Sequence, residues 1–264
     1  QVIEDGRLLA DLAEAPEVQA LDPSGRARAL RLTAETLRHL SRADRTLAPF
    51  VARRPPPEVM QALRLATVEL MLGAAAHGVI NDIVGILGAD RKLGGLKGMA
   101  NAVLRKVALT DPAAFAALPV PLMPPWLRAP VVRAWGRPVT AAIEAAHLVG
   151  AALDLTPRAD AAQVAAMTGG TVLPTGSVRL TDPGQISALP GYATGDWWVQ
   201  DAAAALPARV VGATPGMRVL DLCAAPGGKT MQLAAAGAEV TALDASANRL
   251  KLLDMNRART GLTA

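Results

Sequence analysis

The sequence predicts a multidomain protein of mixed α and α/β class: an all-α bundle, a small mixed α/β subdomain, and then the start of a parallel α/β sheet. Three observations carry that prediction. Up to about residue 118, apolar residues recur at three- and four-residue steps. Between residues 151 and 199, short apolar runs bounded by Gly and Pro replace that rhythm. From Met217 onward, a strand-like run, a glycine turn, a helix and a second strand-like run follow in quick succession. The boundaries drawn from these changes are 1–118, 119–198 and 199–264.

The first segment reads as helix after helix. Leu8, Leu9 and Leu12 form one apolar stripe, and Pro23-Ser24 caps a second helix in which Ala27, Leu30, Leu32, Thr33, Leu37 and Leu40 face inward. Pro55-Pro56-Pro57 breaks the chain. Val59, Leu63, Ala66, Leu70 and Met71 then mark a central buried helix, with Val79, Ile80, Ile83, Val84 and Ile86 on the next one. Gly94-Gly95 turns the chain before Met99, Val103, Leu104 and Val107 close the bundle. Arg38, Arg42 and Arg45 are expected one turn apart on one helix face, with Arg53-Arg54 beyond. They form either a phosphate-contacting stripe for RNA or a solvated face, since Glu35 and Asp44 interleave. His39, His77 and His147 lie apart from one another and read as structural or surface residues.

Pro119, Pro121, Pro124 and Pro125 mark a linker. After it, Leu127, Val131, Val132 and Trp135 give one helix an apolar face, and Pro138 starts another that reaches Leu148. Leu153, Leu155, Thr171, Val172, Val178 and Leu180 fall in short runs that predict two or three strands, with Trp197-Trp198-Val199 closing the subdomain. Asp201 stands where it either caps the helix from Ala202 to Val211 or meets a ligand.

The stretch from Met217 to Thr230 carries the chemistry. A run ending in Leu220-Asp221-Leu222 reads as a buried strand, and Gly227-Gly228 lets the chain turn into a helix whose first N–H groups are unpaired. Glu239-Val240-Thr241-Ala242-Leu243-Asp244 reads as a second strand ending in a carboxylate, placed to accept both hydroxyls of a ribose. A Walker loop needs Gly where Cys223 stands, and the dinucleotide fingerprint needs a third glycine in register. What remains is an adenosine whose far end is not a pyrophosphate, and S-adenosylmethionine fits. The alternative is a plain strand-to-helix turn capped by glycine, which leaves Asp244 unexplained.

Composition sets outer bounds. Lys and Arg number 27 against 23 Asp and Glu, a mild basic excess that suits RNA without requiring it. One Cys excludes a disulfide framework, and the lack of a Cys/His cluster speaks against a zinc site, so a reducing cytoplasm is expected. No stretch of eighteen apolar residues points to a membrane, and nothing in the sequence implies an oligomer.

Taken together, these stretches resemble the RsmB (Sun/Fmu) type of ribosomal RNA cytosine-5 methyltransferase. Leu220 through Thr230 is similar to that family's cofactor signature, and Leu189-Pro190-Gly191-Tyr192 with Val199-Gln200-Asp201-Ala202 resembles the segment before it. Asn101-Ala102-Val103-Leu104-Arg105 is similar to the last core helix of the family's NusB-like, RNA-binding N-terminal domain. The resemblance implies a NusB-like bundle, a linker subdomain and the start of a Rossmann-like, S-adenosylmethionine-dependent methyltransferase sheet. It implies that Cys223, Ala224, Ala225, Pro226, Gly227, Gly228 and Lys229 line the cofactor pocket and that Asp244 holds the ribose. Arg249 is expected on the helix surface, with a place near the adenosine edge as the alternative, and the implied substrate is a cytosine in 16S ribosomal RNA.

The same resemblance exposes a gap. Carbon 5 of cytosine is a poor nucleophile, so enzymes of this kind first add a thiolate to carbon 6. The family uses a Pro-Cys and a Thr-Cys motif beyond the ribose-binding acid, and this sequence has neither. Cys223 is expected as pocket wall, so no catalytic residue is assigned. After Val219 only two strands and two helices fit, where a doubly wound sheet has about five to seven strands. The expectation is therefore an N-terminal portion of a longer enzyme, inactive by itself. The alternative is a non-catalytic NusB-like RNA-binding module with a vestigial cofactor loop.

Overall fold

A computed structural model describes residues 2–181 and 184–264. The chain divides into two compact units, residues 1–150 and 151–264. The 119–198 segment expected from the sequence falls on both sides of that division.

The first unit is helical: α1 (Val2–Asp5), α2 (Leu9–Ala13), α3 (Pro16–Gln19), α4 (Pro23–Arg38), α5 (Leu40–Leu47), α6 (Pro57–Met71), α7 (Ala76–Ala89), α8 (Lys97–Val107), α9 (Pro112–Ala116) and α10 (Pro125–Val149). Helix α6 is the hub. Pro57 occupies its first turn, where the missing N–H would have had no partner, and Val59, Leu63, Ala66 and Leu70 repeat on the buried face. Around it α5, α7 and α8 supply Ala43, Leu47, Ile80, Ile83, Leu104 and Val107 to one continuous core.

Three expectations fail here. The arginine stripe does not exist, because His39 at φ −98°, ψ 13° separates α4 from α5, leaving Arg38 on one helix and Arg42 and Arg45 on the other. Arg38 pairs with Glu35. Arg42 is buried and donates to the carbonyls of Leu118 at 2.6 Å and Pro119 at 3.3 Å, so it tethers the segment after α9 and does not face a phosphate. Second, Trp135 does not pack inward. Gly136 at φ 77°, ψ 166° interrupts α10, as the separate start at Pro138 anticipated, but Trp126 and Trp135 remain 75% and 68% exposed. The buried position is polar instead: Glu144 accepts from Met123 N at 2.9 Å and Arg128 Nε at 2.8 Å. Leu8 also lies outside the expected stripe, exposed ahead of α2.

The second unit opens with a four-stranded antiparallel sheet in the order β2-β3-β1-β4, built from β1 (Leu153–Pro157), β2 (Thr171–Val172), β3 (Val178–Leu180) and β4 (Trp197–Val199), with α11 (Ala161–Thr168) between β1 and β2. The fourth strand exceeds the two or three expected. Trp197-Trp198-Val199 pairs with β1 through Leu155↔Val199 and Pro157↔Trp197, as bulky aromatic residues favour on a buried pleat. Leu155, Val164, Val178, Leu180 and Trp197 form its core.

Helix α12 (Ala202–Val211) leads into β5 (Arg218–Asp221), α13 (Gly228–Ala235), β6 (Glu239–Ala242) and α14 (Ala247–Thr260). Strands β5 and β6 are parallel, in register from Arg218↔Glu239 to Asp221↔Ala242, with α13 as the crossover. Ala208, Leu233, Ala238 and Val240 form the core between α12, α13 and β6. The pair leaves Leu220 57% and Leu222 62% exposed, so the sheet face on that side is not covered by the described residues.

Candidate cofactor-binding site

Because β5 and β6 are parallel and in register, the loops after both strands leave from the same end of the sheet. Backbone bonds lace them together: Leu243 N donates to Asp221 O at 2.8 Å, and Ala224 N donates to Leu243 O at 3.0 Å. Asp244 lies two residues past the end of β6 and turns into this junction. Its Oδ2 accepts from Ala225 N at 3.0 Å and its Oδ1 from Ser246 N at 2.9 Å. Arg249 Nη1 stands 3.8 Å from Asp244 Oδ2. The Ser246 N–H, together with the Ala225 N–H and Arg249, holds the carboxyl below the usual aspartate range against the opposing effect of burial.

The glycine turn follows directly. Gly227 sits at φ 109°, a conformation that suits glycine, and a Cβ there would stand 3.2 Å from Leu253 Cγ. Its N–H closes the bend on Ala224 O at 2.7 Å, and its carbonyl accepts from Met231 N at 2.8 Å as α13 begins. No side chain caps that helix, so its first N–H groups face the bend. A Cβ on Gly228 would stand 3.2 Å from the Gln200 side chain. Ala224 and Ala225 are buried, Lys229 is half-buried, and Cys223 and Pro226 are exposed. The sequence-derived residues 223–229 and Asp244 are thus brought together around one bend.

Three further residues shape the site. Asp221 is buried at the end of β5 and accepts from Thr230 Oγ1 at 2.8 Å, fixing α13 to the strand. A strand-end acid nine residues before a first-turn Thr was the available signal in the sequence. Gln200 accepts from Thr156 Oγ1 at 2.8 Å and Trp198 Nε1 at 3.0 Å, and donates to Gln232 Oε1 at 2.7 Å, joining β1, β4 and α13. Arg249, expected on the helix surface, also donates to Ala225 O, so its head belongs to the loop although its stem is exposed. Asp201 accepts from Ala203 N at 2.7 Å and Ala204 N at 3.2 Å, which makes it a helix cap.

Asp154 supports the sheet beneath. It is buried, accepts from Arg179 Nε at 2.7 Å and Nη2 at 2.8 Å, and takes Ala202 N at 3.0 Å. Arg179 and the Ala202 N–H hold its pKa below the ordinary value of 3.8. A depressed folded-state pKa contributes stability that is complete above the unfolded value and is lost as pH falls through the folded one. Unfolding midpoints of the wild type should therefore be flat from pH 7 to about 5 and drop below about 4. Asp154→Asn should lower the neutral-pH midpoint and flatten that acid slope; an unchanged slope in the variant would refute the assignment.

Among the described residues, no group of three His, Cys, Asp or Glu side chains could hold a metal ion, and no helix is long and apolar enough to cross a membrane. His77 Nε2 meets Asn81 Nδ2 at 2.9 Å, and His39 packs against Phe115 with ring centroids 5.6 Å apart.

Residues 1–109 match the NusB family, and residues 209–264 match the family described as 16S rRNA methyltransferase RsmB/F. The chain is similar to the RsmB type. Its relatives include the ribosomal RNA small subunit methyltransferase B of Xanthomonas campestris pv. campestris, 32% identical across 98% of this chain and 62% of that protein. The probable ribosomal RNA small subunit methyltransferase B of a Synechocystis species is 29% identical across 89% of this chain and 59% of that protein. The chain thus spans about 60% of the length of these curated relatives. The solved structure of PH0851 shares the fold, with a TM-score of 0.66 at 19% identity over 92% of this chain and 60% of that one.

Proposed function

We propose that this chain carries the RNA-docking part and the first half of the cofactor pocket of an S-adenosylmethionine-dependent methyltransferase acting on carbon 5 of a cytosine in 16S ribosomal RNA. The observation that carries the reading is the carboxylate of Asp244 bonded to the cofactor loop at Ala225, at the end of the sheet where both strands stop. The residues present fit such a ligand. Ala224, Ala225 and Gly227 carry nothing larger than a methyl group along the bend, and the uncapped start of α13 faces it. Residues 223–229 would line the pocket and Asp244 would hold the ribose hydroxyls; when bound, S-adenosylmethionine supplies an electrophilic methyl group.

What this stretch's own residues do is seat and orient. Its single thiol, Cys223, is exposed in the loop wall, and no catalytic role is assigned to it. In this reading the part that matches the NusB family docks the ribosomal RNA, and the enzyme works in the cytoplasm.

Calorimetric titration with S-adenosylhomocysteine, paired with a gel-shift assay on a 16S RNA fragment, tests this. Saturable binding of S-adenosylhomocysteine that ATP does not displace, RNA binding, and no methyl transfer by residues 1–264 alone are expected. RNA binding with no S-adenosylhomocysteine binding would favour a NusB-like module with a vestigial loop. Preferential ATP binding would refute both.

A further inference from the structure

Helix α14 backs the candidate cofactor loop with one face. Positions 249, 253, 256 and 260 recur at helical spacing and meet the loop and the helix behind it in order. Arg249 donates to Ala225 O, Leu253 packs on Gly227, Asn256 Nδ2 donates to Pro226 O at 3.2 Å, and Thr260 Oγ1 lies 3.7 Å from Met231 Sδ. Three consecutive loop residues, 225 to 227, therefore lean on a single helix face.

The far end of α14 is held by the antiparallel subdomain. Arg259 Nη1 donates to Tyr192 O at 2.8 Å and Trp197 O at 3.0 Å, and its Cζ stands 4.4 Å over the Tyr192 ring. Arg158 Nη1 donates to Thr260 O at 3.0 Å. Gly195 touches the helix backbone so closely that a Cβ would stand 2.2 Å from Arg259 O. Arg259 is a costly way to pack a helix end. Its Nε is buried without a partner, and burial pushes its pKa below the arginine norm. Two carbonyls from two separate segments, reached by one guanidinium, define both the rotation and the height of α14. A rotation by one residue, about 100°, would carry Arg249 and Asn256 off the loop.

We propose that Arg259 is a positioning residue for the cofactor loop, transmitting the placement of the antiparallel subdomain through α14 to Ala225, Pro226 and Gly227. The inference rests on reading that loop as the cofactor seat, but its mechanical content does not require a ligand.

Hydrogen exchange by mass spectrometry on the whole chain tests it, comparing wild type with Arg259→Met and Arg259→Lys. In Arg259→Met, exchange across residues 224–230 should rise about tenfold while β1 and β3 stay within about twofold of wild type. Lysine reaches one carbonyl and keeps the charge over the ring, so Arg259→Lys should restore most of the protection. S-adenosylhomocysteine affinity should fall with the protection lost. Loop exchange unchanged in Arg259→Met, or raised equally throughout residues 151–264, overturns the proposal. If Arg259→Met does not fold, Tyr192→Leu removes the ring and leaves the carbonyls; about a threefold rise confined to the loop is then expected, and no rise overturns the proposal. Raised loop exchange in a protein whose wild type binds no S-adenosylhomocysteine would sink the cofactor reading and leave the positioning role standing.

Discussion

Gly195→Ala should destabilise residues 151–264 by about 3 to 5 kcal/mol, combining a strained left-handed backbone with overpacking. Gly195 lies at φ 70°, and the added Cβ would stand 2.2 Å from Arg259 O and 2.6 Å from Thr260 Cα. These are backbone atoms of a helix, so no rotamer change relieves the clash; α14 or the 191–196 turn must move. Gly212→Ala separates the two contributions. It shares the positive φ, at 62°, but its Cβ would meet nothing within 4 Å, so it should cost only about 1 kcal/mol. Urea unfolding followed by tryptophan fluorescence reports the difference, since Trp197 and Trp198 are buried in this unit. Equal midpoint shifts for the two variants would show that the close approach of Gly195 to α14 is not limiting.

Asp244→Ala should weaken S-adenosylhomocysteine binding about 100-fold, the loss expected when two hydrogen bonds to a charged acceptor disappear. The substitution acts twice. It removes the proposed acceptor for the ribose hydroxyls, and it frees Ala225 N and Ser246 N, which orient the loop and the start of α14. Asp244→Asn keeps one acceptor oxygen and should fall between wild type and alanine. Lys229→Ala is the internal comparison. Lys229 is half-buried in the first turn of α13, so a loss of at most about tenfold is expected. Calorimetry decides, and affinity within about threefold of wild type in Asp244→Ala would remove the ribose assignment.

Local chemistry was legible wherever neighbours in sequence do the work. The burial of α6 follows from Val59, Leu63, Ala66 and Leu70 repeating on one face, and the parallel β5-β6 pair follows from two apolar runs joined through a glycine turn and a helix. Asp244 was legible as a strand-end acid near the loop, and it does meet Ala225 N. The arginine stripe was misread because spacing alone cannot see that His39 ends one helix and starts the next. Nor can it see that Leu118 and Pro119, more than seventy residues away, offer carbonyls to Arg42. Trp135 was misread for a related reason: the buried position on α10 goes to Glu144, paired with Arg128 sixteen residues away, and Trp135 stays exposed.

From the residues alone came the class of the fold, the helical half and the glycine bend between β5 and α13. Each depends on periodicity, glycine freedom and the short reach between a strand and the helix that follows it. Tertiary structure alone decided that β4 joins the antiparallel sheet, that Gln200 abuts Gly228, and that Arg259 anchors α14 behind the loop. Those contacts join residues 28 to 67 positions apart, where strand register and the packing of whole elements set the meeting point and no local pattern encodes it.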